Sequence, residues 1–260
     1  MQIYDQHLHT SFSPDSTEEM EAYVKKAKKQ GDTVFVTTEH LDFGANAANG
    51  GDIIPDFARL QETIKRLAEK YGIKMLLGIE AGYRARFHEE IASIVKTYPF
   101  DVVIASVHEN DKYDFYGLEA KVGRTTQAMY AEYLGLVQGL VNDFKDYDIL
   151  AHIDFPLRYV APIDIAPFED SIKAIFRVVA EDGKAFEINT RTVVSNGMPY
   201  LEKYAQWFLE SGGKYFSLGS DAHRVGNYKG EFEETIQMLK RNGVNELSFY
   251  ENRKRRGVLI

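Results

Sequence analysis

Short apolar runs alternate with longer segments of helical period along almost the whole chain. Seven runs rich in Val, Ile and Phe have the length of strands: Gln2 to Leu8, Thr33 to Thr38, Ile73 to Ile79, Asp101 to Val107, Tyr147 to Ala151, Lys184 to Ile188 and Tyr215 to Leu218. Between them the spacing turns helical. Ser16 followed by Glu19 has the form of a capping box, and Met20, Tyr23, Val24 and Ala27 then make one apolar face that Gly31 ends. Pro55 opens a second helix with Phe57, Leu60, Ile64 and Leu67 on one side, ending near Tyr71-Gly72. His88 opens another in Arg-Phe-His-Glu-Glu, and later helices fit residues 124–142, 167–182, 198–211 and 231–242. Continuous apolar strands joined by helical crossovers require a parallel sheet covered by helices, and seven such units predict a closed or nearly closed α/β barrel.

Two segments break the rhythm. Residues 41–54 are rich in Gly, Ala and Asn, and residues 109–123 carry Glu109, Asp111, Tyr113, Tyr116 and Lys121. Both follow strand ends, where a rigid scaffold suits long loops to cover a bound molecule. The basic run Arg253 to Arg256 reads as a solvated tail. With no repeat, linker or low-complexity tract, residues 1–260 read as a single domain; 260 residues at 44% hydrophobic content suffice for one barrel core.

Charge and composition narrow the chemistry. A net charge of -8 opposes a nucleic-acid or anionic-membrane partner, while a small anionic substrate stays open if bound cations invert the local field. Without cysteine, any metal has to be held by nitrogen and oxygen. The start, Met-Gln-Ile-Tyr-Asp, has no leader pattern and no run of about 18 apolar residues occurs, so a cytoplasmic location is expected. Nothing marks the oligomeric state.

Six of the seven histidines stand where a predicted strand runs out: His7, His9, His40, His108, His152 and His223. Residues two apart on an extended chain share a face, so His7 and His9 can chelate one ion. Glu80 can bridge two ions, His108 and His152 can complete a second site beside it, and Asp221 with His223 repeats the i, i+2 spacing. Alone, His-x-His is as readily two half-exposed histidines, and a strand-end glutamate as readily a cap or ion pair. Six histidines with Glu80 and Asp221, all at the carboxyl ends of barrel strands, point instead to a metal site. His88 reads as an exposed histidine among acidic neighbours.

His7-Leu-His9-Thr, Ser13-Pro-Asp15-Ser, Thr38-Glu-His40, Gly78-Ile-Glu80-Ala-Gly, Ser106-Val-His108, His152-Ile-Asp154, Glu187-Ile-Asn189-Thr and Gly219-Ser-Asp221-Ala-His223 follow in order along almost the whole chain. With these motifs the chain resembles the PHP (polymerase and histidinol phosphatase) superfamily and, within it, the histidinol-phosphate phosphatases. The resemblance implies a distorted (βα)7 barrel with the metal site at the carboxyl ends of the strands. It implies three divalent transition-metal ions, zinc before iron, manganese or cobalt. His7, His9, Glu80 and Asp221 would bind the first ion, Glu80, His108 and His152 the second, and Asp15, His40 and His223 the third. Several members of the superfamily carry a histidine where Asp15 stands.

The implied reaction is hydrolysis of L-histidinol phosphate in histidine biosynthesis, water activated by the ions attacking phosphorus in line, with Glu80 bridging and Asp221 or His223 moving a proton. Arg158, Arg191 and Arg224 lie close to strand ends, where a guanidinium can fork onto phosphate or equally make a structural ion pair; Asn189 is a further substrate-binding candidate, and Glu109, Asp42 and Asp154 are candidates for the amine and imidazole of histidinol, Asp154 alternatively orienting His152. Arg224, beside His223, reads as a structural ion pair. Alternatives are a phosphatase for another small ester or for phosphotyrosine, an amidohydrolase-type enzyme, for which Asp15, His40 and His223 have no purpose, and a noncatalytic metal-binding module, which would have lost ligands. A nuclease is opposed by the charge and the lack of a basic, aromatic-lined track.

Overall fold

Alternation along the strands sorts side chains to the two sides of a curled parallel sheet. The computed structural model describes residues 2–45, 51–117 and 119–260. Its main sheet contains β1 (Val34–Ala45), β2 (Gly51–Ile53), β3 (Lys74–Gly82), β4 (Val102–Ser106), β5 (Ile149–Leu150), β6 (Ala185–Asn189) and β7 (Phe216–Gly219), in the order β2-β1-β3-β4-β5-β6-β7. Within this sheet, among the described residues, only β2 runs antiparallel to its neighbour. Val36, Leu76, Val102, Ile104, Ile149 and Ala185 point into the curl as one apolar cluster. Their sequence neighbours Phe35, Leu77, Val103, Leu150 and Phe186 join a second, outer cluster with the helices. The result is a distorted α/β barrel.

Helices α1 (Met20–Lys29), α2 (Phe57–Tyr71), α3 (His88–Thr97), α4 (Thr126–Asp143), α5 (Glu169–Glu181), α6 (Arg191–Asn196), α7 (Met198–Glu210) and α8 (Phe232–Arg241) cover the sheet. The expected face of α1 is buried, but the capping box is not formed: Ser16 instead donates to the carbonyls of His9 at 3.2 Å and His223 at 3.1 Å. In α2, Asp56 accepts the Arg59 N–H and Gly72 closes the helix at φ 54°, which Gly adopts without strain. No helix among the described residues is long and apolar enough to cross a membrane.

The expected first strand, Gln2 to Leu8, is not regular. It does lie between β7 and β1, with Gln6 N–H on Leu218 O and Thr38 N–H on Leu8 O. Its period breaks between Gln6 and His7. Gln6 turns into the barrel, donating to Ser217 Oγ and Ser248 O, yet His7 also turns inward toward Glu80, and Leu8 joins the outer cluster. Side chains take over part of the ladder: Leu8 N–H goes to Thr38 Oγ1 and His7 N–H to Asp5 Oδ1.

The basic run is solvent-exposed from Lys254 to Arg256, as expected, but it is not a tail. It belongs to a hairpin of β8 (Glu246–Glu251) and β9 (Lys254–Leu259). Phe249 and Tyr250 enter the inner cluster, so the hairpin closes the amino end of the barrel. Arg253 pairs with Asp146 and Asp148, and Arg255 with Glu246. Of the two expected loops, the first continues β1 to Ala45 and returns as β2, with residues 46–50 outside the described residues. The second opens as a tight turn bridged by Glu109 and Asp114, and residue 118 lies outside the described residues.

Candidate metal centre

The strand ends bring His7, His9, Asp15, His40, Glu80, His108, His152, Asp221 and His223 together at the carboxyl mouth of the barrel. Register sets part of this directly, since His40 of β1 stands opposite Glu80 of β3. His108, His152 and Asp221 each follow their strand by two residues. Glu80 is buried and divides its oxygens. Oε2 lies 3.3 Å from Nε2 of both His7 and His9 and 2.9 Å from Nδ1 of His40; Oε1 lies 3.1 Å from Nε2 of His108 and 2.7 Å from that of His152. Asp221 Oδ1 is 3.5 Å from His9 Nε2 and 3.9 Å from His7 Nε2. Asp15 Oδ2 is 2.9 Å from His223 Nε2 and 3.3 Å from His40 Nε2.

Four overlapping trios offer donor atoms within 4.8 Å of one another: His7, His9, Asp221; His7, Glu80, His152; His40, Glu80, His108; and His9, His40, His223. Buried His7 Nε2, His9 Nε2, His40 Nδ1 and Glu80 Oε2 have no hydrogen-bond partner. Unpaired buried polar atoms are costly unless something else satisfies them. A set of imidazoles and carboxylates without thiolate fits divalent ions of the zinc, manganese or iron type.

A second layer of side chains fixes this one, as metal-binding histidines require. Glu187 places Oε1 2.6 Å from His7 Nδ1 and accepts His152 N–H through Oε2. Ser13 Oγ lies 3.3 Å from His9 Nδ1 and donates to buried Glu39, which also accepts from Thr10 and Thr37. Asp42 Oδ1 lies 3.0 Å from His108 Nδ1. Arg158 donates to Asp221 Oδ2 at 2.6 Å, and Asn189 bridges Glu187 and the same oxygen. Two glycines are required by the crowding: a Cβ on Gly219 would stand 2.4 Å from Glu187 Oε1, and one on Gly82 1.8 Å from Asp42 Oδ1. Asp221 itself has φ 51°, a left-handed conformation that aspartate tolerates, and donates its N–H to His7 O. The roles of Glu187, Glu39 and Ser13 went unread in the sequence, although Glu187-x-Asn189 repeats the i, i+2 spacing at a strand end.

Burial opposes charge throughout, and the balance differs by residue. Burial raises the carboxyls of Glu80 and Asp221, but imidazoles led by His7 outweigh it and hold both well below the ordinary range. Burial lowers His7 and His108, yet Glu187 at the first and Glu80 at the second drive them well above the usual histidine value. In His9 and His152 burial wins and keeps the rings neutral.

Above the cluster lies a cavity of about 520 Å³, whose wall includes Asp42, Glu109, Asp114, Arg191 and Arg224 and the aromatic rings of Tyr116, Phe155 and Tyr159. Of the expected substrate residues, Arg191 faces it, with Nη1 3.1 Å from His223 Nδ1. Asp42 and Glu109 also line it, each already paired, Asp42 with His108 and Glu109 with Arg84. Arg158 is buried beneath, with Nε and Nη2 lacking partners beside its bond to Asp221. Asn189 is not placed for substrate: it is buried, its amide donates to Glu187 and Asp221, and its oxygen accepts Arg191 N–H. Asp154 does not hold His152, since Asp154 Oδ2 and His152 Nδ1 both lack partners. Arg224 lines the cavity and makes no ion pair among the described residues, contrary to expectation. His88 lies apart and is half-buried rather than exposed, its ring edge-on to Tyr83 and Phe144.

Imidazoles and carboxylates gathered at the carboxyl mouth of an α/β barrel, under a cavity with arginines in its wall, define a metal-dependent hydrolase. The chain belongs to the PHP domain family, which matches residues 5–191. Over 264 residues it is 31% identical to the histidinol-phosphatase of Lactococcus lactis, covering 98% of this chain and 96% of that protein. A probable histidinol-phosphatase of Clostridium acetobutylicum is 27% identical over 260 residues, 96% of this chain and 98% of that one. The structure superposes with a TM-score of 0.90, at 30% identity and 98% coverage of both chains, on histidinol phosphate phosphatase from L. lactis solved with zinc, L-histidinol and phosphate.

Proposed function

We propose that the protein is a metal-dependent phosphomonoesterase that hydrolyses L-histidinol phosphate to L-histidinol and inorganic phosphate in histidine biosynthesis. The observation that carries this reading is the set of buried ligand atoms around Glu80 that lack a hydrogen-bond partner, in a chain similar over nearly its full length to histidinol-phosphatases. His7, His9, Glu80 and Asp221 would hold a first ion, Glu80, His108 and His152 a second, and Asp15, His40 and His223 a third, zinc ahead of iron, manganese or cobalt. When bound, such ions would supply positive charge to the phosphate and acidify water beside it.

The chain's own residues do the rest. Arg191 forks onto a non-bridging phosphate oxygen, and Arg158 keeps Asp221 aimed at the first site. Water adds to phosphorus, the P–O ester bond breaks, and the alkoxide takes a proton. Asp221, held ionised by His7 and Arg158, is a poor donor for that step; His223, as a ligand with Arg191 Nη1 3.1 Å from its Nδ1, is no better, so water in the cavity supplies the proton. We place the enzyme in the cytoplasm, as a single domain over residues 1–260 with a small phosphate ester as its partner rather than nucleic acid or membrane.

Phosphate release from L-histidinol phosphate, p-nitrophenyl phosphate and a phosphotyrosine peptide, by protein of measured metal content, tests the reading. The expected kcat/KM for L-histidinol phosphate exceeds the others at least about tenfold and vanishes with a chelator. Equal efficiency across the panel would remove the assigned substrate.

A further inference from the structure

Besides the cluster's own Asp15, Glu80 and Asp221, three carboxylates line the cavity: Asp42, Glu109 and Asp114. Two have partners that offset their charge. Asp42 Oδ1 is 3.0 Å from His108 Nδ1, and Glu109 Oε1 is 3.4 Å from the guanidinium of Arg84, which also donates to the carbonyls of Phe43 and Asn110. Asp114 accepts the Tyr116 N–H at 2.7 Å and has no ion-pair partner among the described residues.

Backbone geometry sets where Asp114 points. Glu109 and Asp114 form an isolated antiparallel bridge, secured by Asn110 N–H on Tyr113 O at 3.0 Å and Phe115 N–H on His108 O at 2.9 Å. Residues opposite one another in such a pair project to the same side. Asp114 therefore faces the cavity beside Glu109. Burial raises its carboxyl above the ordinary range, and the Tyr116 N–H, His108 and His40 offset this only in part.

Next to it an aromatic wall leads outward from the cluster. Phe155 is 5.1 Å from the His108 ring and 5.4 Å from Tyr159, and Tyr159 is 4.7 Å from Tyr116, all between ring centroids.

We infer that Asp114 is the specificity-determining residue for the primary ammonium group of the substrate, with Tyr159 and Tyr116 flanking the ring beyond it; the inference rests on the histidinol phosphate reading. In that ester the ammonium-bearing carbon adjoins the CH2–O–P group. With phosphate at the cluster, the cation falls within the turn that follows His108, and the imidazole extends along the aromatic wall. An ammonium there forms a charge-assisted hydrogen bond with the one carboxylate of the three that makes no ion pair among the described residues.

The test is a cycle that deletes the ammonium from the substrate and the charge from the protein. Wild-type and Asp114→Asn proteins are compared on L-histidinol phosphate and on 3-(imidazol-4-yl)propyl phosphate, with p-nitrophenyl phosphate and bound zinc as controls. Deleting the ammonium should lower the wild-type kcat/KM about 10- to 100-fold. Asp114→Asn should lose a similar factor on L-histidinol phosphate, mainly in KM, and stay within about twofold on the other two esters with zinc unchanged. An equal loss on both imidazole esters, or the selective loss appearing in Glu109→Gln instead, overturns the assignment. A wild-type enzyme that cleaves p-nitrophenyl phosphate but neither imidazole ester refutes the histidinol phosphate reading itself, and the Asp114 assignment falls with it.

Discussion

Glu80 is the side chain on which the cluster depends most, because each of its oxygens faces a different group of imidazoles. Glu187 touches the cluster only through His7 Nδ1 and the His152 N–H. These positions predict an order of damage. Glu80→Gln should lower phosphatase activity by more than about 100-fold and reduce bound metal by more than one ion, whereas Glu187→Gln should weaken metal retention about 10- to 100-fold. Elemental analysis and initial rates decide; a Glu80→Gln protein with near-normal metal and rate would exclude the bridging role. The residues that converge were legible in the sequence because His7-x-His9 and Asp221-x-His223 carry their geometry in a two-residue spacing. Glu187 was not, because its partner His7 lies 180 positions away and no local pattern announces the pair. Asn189 misled for the same reason: a polar residue at a strand end looks exposed until Glu187 and Asp221 are seen to use up its amide.

At the scale of elements, apolar runs and helical periods located the strands of the sheet and the long helices, since both signals are local. The failures were tertiary. Ser16 and Glu19 have capping-box spacing, but the Ser16 hydroxyl is drawn to the carbonyls of His9 and His223, tying α1 to the site. The first strand changes parity at His7 because Gln6 must bond the hairpin while His7 reaches Glu80, a conflict that periodicity cannot encode. The hairpin itself was hidden by Arg253, Arg255 and Arg256, whose charges are balanced by acidic residues from several parts of the chain. Phe249 packs 4.4 Å from Tyr4 inside the barrel, at the end opposite the cluster. Phe249→Ala should therefore destabilise the fold by about 3–5 kcal/mol in denaturant unfolding while kcat and metal content stay near normal. Loss of metal without loss of stability would show that the hairpin acts on the site rather than on the core.

For the whole molecule, the same imidazoles couple metal, protons and folding. Burial lowers His40, but Glu80 and Asp15 more than reverse this and push it up to about 10 from 6.5. A histidine with a folded pKa above its unfolded value adds stability that is complete below about pH 6.5 and is lost as pH rises through about 10. His7 and His108, also shifted upward, act with the same sign. His9 and His152, kept neutral by burial, add no such proton competition. A divalent ion needs the rings unprotonated, so protons compete with it, and its apparent affinity climbs over the interval in which the metal-free fold weakens. The thermal midpoint of chelator-treated protein should thus fall between about pH 6.5 and pH 9, because the unfolded histidines release protons that the folded rings still hold, while the increment on adding zinc widens. Paired melting curves at the two pH values measure both changes. A zinc increment that is flat or smaller at the higher pH would mean that His40, His7 and His108 do not exchange protons for metal, and that the cluster around Glu80 is held together by its own ion pairs.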